Sequence, residues 1–177
     1  MTRSRLTQAG KFAAILALAA VLQVLVVSRI SVLGVTADLF LVLTVIVALS
    51  HGEMAGAIFG FFMGVVADTV FFQPLGVRAF IYLLAGYFVG RFVGRFGVVR
   101  AWGLVLLAGA TSFGAQLVYG LFQYIVGPRA AFLTVVGTQM IPGAVLDALV
   151  CVPVYLALVR MRLLPAAAQT VAGGSQQ

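Results

Sequence analysis

Most of the chain is apolar, in long runs broken by short polar, glycine or proline punctuation. Six runs are read as helices. They cover about Phe12 to Ser28, Val35 to Ser50, Met54 to Phe72, Arg78 to Phe96, Ala101 to Val126 and Gly143 to Val159. Runs of about 20 apolar residues are what a helix needs to cross a bilayer. The breaks hold Arg29, His51-Gly52-Glu53, Gln73-Pro74-Leu75-Gly76, three arginines between Arg91 and Arg100, and Gly127-Pro128-Arg129. Proline and glycine both punctuate helices. The stretch 130–140 is apolar but short and is interrupted by Pro142-Gly143, so it reads as an interfacial or re-entrant helix. Pro153 predicts a kink in the last run. Residues 1–165 are expected to form one transmembrane domain, and the small, polar tail 166–177 to be disordered.

Composition excludes a water-facing surface. Of the residues, 63% are hydrophobic and 8% charged, against about 25% charged in soluble domains. Arg3, Arg5 and Lys11 precede the first run, as in a signal peptide. That run ends in Val26-Val27-Ser28-Arg29 without a small-residue cleavage pattern, so it is read as a membrane anchor. The net charge is +7, but the basic residues lie between apolar runs. They form no patch with interleaved aromatics, which argues against nucleic acid. They fit topology instead. With six crossings and both ends inside, eight Arg and Lys side chains fall inside and three (Arg29, Arg78, Arg129) outside. Five crossings would give six against five. Basic residues prefer the cytoplasmic side, so an N-in, C-in arrangement is expected, with Trp102 as an interfacial anchor beside Arg100.

Catalytic signals are absent. Cys151 is the single cysteine, which rules out an intrachain disulfide and leaves it as a packing residue. His51 and Glu53 are too few ligands for a metal. No Ser-His-Asp set, phosphate loop, CxxC pair or dinucleotide motif is present, and Ser28, Ser31, Ser50 and Ser112 have no evident base. No cofactor and no enzymatic activity are expected.

Two other patterns carry information. Gly52, Gly56, Gly60, Gly64 and Asp68 recur every four residues, and Gly86, Gly90 and Gly94 repeat the device on the next run, with Tyr82 and Arg78 continuing it. Four residues advance a helix by about 400°, giving one slowly drifting stripe. Stripes of small residues let helices approach closely. They serve either packing within the chain or docking of a partner's transmembrane helix. The second pattern is acidic. Asp38, Asp68 and Asp147 converge with Arg78 at one membrane level, where carboxylates are costly unless paired or hydrated. This intramembrane polar cluster is either a set of ion pairs, Asp68–Arg78 foremost, or a polar cavity for a ligand or a proton. Two further stripes, Gln116/Tyr119/Gln123 and Gln139/Gly143/Asp147/Cys151/Tyr155, read as interhelical hydrogen-bonding faces.

The run Gly56-x3-Gly60-Phe61-x2-Gly64-x3-Asp68, then Pro74-Leu75-Gly76, then Tyr82-x3-Gly86-Tyr87-x2-Gly90, resembles the bacterial rod-shape-determining MreD family. Leu22-Gln23 and Ala37-Asp38-Leu39 match its layout, although the family often has proline where Ala37 stands. The resemblance covers about residues 12 to 160 and is densest from Gly52 to Gly90. It implies an all-α, multi-pass protein of the bacterial inner membrane that is no enzyme. Its expected partner is an MreC-like membrane protein, within elongation machinery that includes MreB, RodA and a penicillin-binding protein and directs lateral peptidoglycan synthesis. It also implies a fold similar to the substrate-binding subunits of energy-coupling-factor vitamin transporters. That similarity supplies the rival reading, a small-molecule transport subunit, which Ala13-x3-Ala17 fits weakly. A lipid-handling enzyme, the third reading, lacks a catalytic set.

Overall fold

The computed structural model describes residues 21, 23, 34–71, 74–96, 101–126 and 135–160. The first apolar run apart from Val21 and Gln23, the arginines at 29, 100, 129 and 162, and the tail 166–177 lie outside them. Among the described residues every regular element is a helix. Five α-helices follow one another: α1 (Leu39–His51), α2 (Glu53–Val70), α3 (Val77–Phe96), α4 (Ala101–Val126) and α5 (Ile141–Arg160). Among the described residues four helices are long and apolar enough to cross a membrane: α2, α3, α4, and α5 together with the turn before it.

The short helix is the centre. α1 has 13 residues, roughly 20 Å at 1.5 Å per residue, and contacts all four other helices. Every residue from Leu39 to Ala48 is buried. A helix apolar on all sides belongs in a core, and both core clusters are built on it. Phe40 and Leu43 pack with Phe59, Met63 and Tyr82. Ile46 and Ala48 pack with Val89, Ala108 and Cys151. The lipid-ward surface falls to the longer helices, where Phe62, Phe88, Leu106, Ile125 and Leu149 are exposed.

α1 begins four residues later than the apolar run suggested. Thr36 to Asp38 are not helical, and Asp38 is the N-cap, in extended geometry. Asp favours the N-cap because its side chain satisfies the free N–H groups of the first turn. At the other end, Gly52 turns the chain into α2 with φ 86°, a conformation that only glycine adopts without cost.

The glycines of α2 and α3 face one another. A Cβ at Gly60 would collide with the Tyr82 backbone and Thr44, one at Gly64 with Ala79 and the Arg78 carbonyl, and one at Gly90 with Glu53. Gly56 and Gly86 stand directly opposed. Backbone thus meets backbone, and α2 and α3 form the most extensive helix pair. The stripe stops short of its sequence limits. Gly52 serves the turn, and a Cβ at Gly94 would meet nothing within 4 Å.

Pro142-Gly143 does not interrupt the last helix. Residues Val136–Met140 form a π-helical turn that runs directly into α5, so Pro142 lies within a continuous helix, just past the wider turn. The interfacial or re-entrant helix expected here is therefore, over 136–140, the start of a continuous helix. Residues 130–134 lie outside the described part. α5 also continues through Pro153.

Candidate functional site

The site grows from the start of α1. A helix leaves its first N–H groups without intrahelical partners, and here that end is buried. Asp38 Oδ1 accepts from Phe40 N at 3.1 Å and Leu41 N at 3.2 Å. Leu39 N donates to Gln23 Oε1 at 3.0 Å, and Gln23 Nε2 donates to the Ala37 carbonyl at 3.0 Å. Asp38 N donates to Asp147 Oδ1 at 2.6 Å. Three separate parts of the sequence thus saturate one helix end: Gln23, Asp38 and Asp147.

Asp38 also anchors α3. Its Oδ2 accepts from Arg78 Nη1 at 3.1 Å and from the Tyr82 hydroxyl, and Nη1 also donates to that hydroxyl at 3.2 Å. The Arg78 guanidinium lies between two rings, 4.7 Å from the centroids of both Phe71 and Tyr119. Such faces attract a cation where water is scarce.

Asp147 ties α5 to α4. Its Oδ2 accepts from the Ser112 hydroxyl, and Ser112 Oγ in turn accepts from Gln116 Nε2 at 3.0 Å. Turned over, the Gln116 amide instead meets the Met140 carbonyl and Ala144 N at 3.3 Å. Ser112 has one proton and the carboxylate takes it, so the first orientation keeps the chain of donors consistent. Gly143 makes room, since a Cβ there would strike the Gln116 side chain.

The expected cluster of Asp38, Asp68, Arg78 and Asp147 is therefore brought to one end of the bundle, with one correction. Asp68 does not pair with the Arg78 guanidinium. Its Oδ2 accepts from Gly76 N at 2.8 Å and its Oδ1 from Arg78 N at 3.2 Å. It caps the start of α3 from the end of α2. The guanidinium reaches past it to Asp38. Ser112, which has no evident base in the sequence, donates its hydroxyl to the Asp147 carboxylate. In the sequence Gln23 stands out only in the family layout, and Tyr82 only in that layout and on the glycine stripe. Their signal was polarity inside apolar runs, which marks a group that must find a partner.

A cavity of about 390 Å³ opens beside the cluster, lined by Thr36, Arg78, Gln116, Gln123, Gln139 and Asp147 among others. At the opposite end, Arg91 Nη1 meets Glu53 Oε2 at 3.3 Å, both exposed.

The chain matches the family of the rod shape-determining protein MreD over residues 5–162. It belongs to that family. Its role is accordingly in determining rod shape, and the family is a structural one. No curated protein and no solved structure gives a significant match. With its apolar helices, this MreD-family chain is a membrane protein.

Proposed function

We propose that the chain is a six-span scaffold of the bacterial inner membrane, both ends cytoplasmic, that binds an MreC-like membrane partner and so supports lateral peptidoglycan synthesis. The family match carries this reading. Four spans are α2 to α5, and the first apolar run supplies a fifth. The sixth is α1 with its non-helical lead-in. Five residues from Gly34 to Asp38 at about 3.3 Å each add roughly 16 Å to α1, enough together for a hydrocarbon core of about 30 Å. The bonds of the carboxylates between helices support a structural role. Asp38, Asp68 and Asp147 are each engaged by protein donors, as expected of groups that hold helices together.

Two measurements test this. Reporter fusions after Gln177 and near Gln73 should report cytoplasm and exterior respectively. Affinity purification from detergent-solubilised membranes should recover a single-pass partner with a cell-wall function. A C-terminus outside the cell, or recovery of a vitamin-like ligand with no cell-wall protein, overturns the proposal.

A further inference from the structure

Beside the polar cavity lies an apolar groove of about 270 Å³ between α3 and α4, lined by Leu84, Ala85, Phe88, Thr111, Gly114 and Val118 with Ile81 and Ala115 at its head. The two spaces meet through a smaller one of about 50 Å³. Ile81 and Ala115 line the groove and this waist, while Arg78, Gln116 and Asp147 line the waist and the polar cavity. The groove follows α3 from Ile81 to Val89, roughly 12 Å at 1.5 Å per residue. One end of the assembled space is charged and the other is hydrocarbon.

The charged end has unused capacity of both signs. Among the described residues the Arg78 guanidinium hydrogen-bonds through Nη1 alone, and its Nε is buried without an acceptor. The edge from Nε to the second terminal nitrogen is a two-donor fork that matches a phosphate or carboxylate. On the other side, a carboxylate offers about four acceptor positions. Asp38 uses four, for Phe40, Leu41, Arg78 and Tyr82. Asp147 uses three, for Asp38 N, Ser112 and the Gln116 amide. A spare donor fork and one spare carboxylate position on one cavity suit a ligand carrying an anion and an N–H-bearing cation together.

We propose that this composite space binds one phospholipid with a primary-amine head group, of the phosphatidylethanolamine type. The phosphate faces Arg78, the ammonium faces Asp147, and one acyl chain lies in the α3–α4 groove. A phosphatidylglycerol head lacks the ammonium, and a phosphatidylcholine head has a cation with no N–H to donate. The inference goes beyond the scaffold reading and does not depend on it.

The test uses the full chain purified in mild detergent and offered equal amounts of phosphatidylethanolamine, phosphatidylglycerol and phosphatidylcholine, with native mass spectrometry as the readout. One phosphatidylethanolamine should be retained over the others by about tenfold, a 1.4 kcal/mol preference. Gly114→Phe should lose it, because that side chain fills the groove. A Cβ at Gly114 meets nothing within 4 Å, so the fold tolerates the change. Arg78→Lys, which keeps the charge and removes the fork, should weaken the preference while retaining the fold. Equal retention of the three lipids, or retention by Gly114→Phe at the wild-type level, overturns the proposal. So does loss of a copurifying membrane protein from Gly114→Phe with the lipid still bound, since the groove would then seat a protein helix. Selective lipid retention by a chain that recovers no partner upholds the site and counts against the scaffold reading alone.

Discussion

Among the described residues, two ion pairs join the α1–α2 part of the chain to α3, one at each end of the bundle. Arg78–Asp38 spans 3.1 Å with side chains about one-fifth exposed, and Arg91–Glu53 spans 3.3 Å at 60% and 40% exposure. By distance they are near equals. They differ in what else depends on them. Asp38 caps α1, meets Tyr82 and sits against Asp147 through its own N–H. Arg91 also meets Tyr87, at 3.5 Å to its hydroxyl and 6.0 Å to its ring. Exposed pairs lose most of their Coulomb gain to solvent and to side-chain entropy. A buried pair leaves an uncompensated charge when one member goes. The lesson is that pair geometry says little until burial and shared partners are counted.

The largest effect should come from Asp38→Ala. It strands Arg78, Tyr82 and two amides of α1 together, and about 3–5 kcal/mol of stability should disappear. Thermal unfolding in detergent would register this as a large drop in midpoint. If Glu53→Ala lowers the midpoint as much, the contrast between the two ends is wrong. Asp68→Asn should cost less, about 1 kcal/mol, because one amide oxygen remains to cap α3. Were its loss as large as that of Asp38→Ala, Asp68 would have to be the partner that neutralises Arg78. The smallest effect belongs to Arg91→Gln, below about 1 kcal/mol. Added salt should change the stability of the wild type little more than that of the variant, whereas a marked difference would show the Arg91–Glu53 pair to be structurally important.

Much of the cluster was legible in the sequence because carboxylates and an arginine inside apolar runs have no stable alternative to meeting one another. The meeting place followed from run lengths alone, which put Asp38, Asp68, Arg78 and Asp147 at one level. Which acid takes which donor did not follow. Asp68 is nearer to Arg78 in sequence than Asp38 is, yet the tight turn points the Asp68 carboxylate at the backbone of Gly76 and Arg78. The arginine side chain extends instead to the start of α1. Spacing also identified the glycine stripe, but not that it ends at Gly56 and Gly90.

What the sequence determined by itself is the solvent and the class of the molecule. Run length and the scarcity of charge force helices in a bilayer, because backbone polar groups in hydrocarbon must be satisfied within their own segment. The motif from Gly56 to Gly90 pointed to the family that the match over residues 5–162 shows. Tertiary structure alone decided that the shortest apolar helix is the centre rather than one more span at the rim. All the runs look alike to a bilayer, and hydropathy cannot rank them. Only packing does so, by placing the glycine-lined faces of α2 and α3 together and closing Gln23 and Asp147 over the free amides of α1.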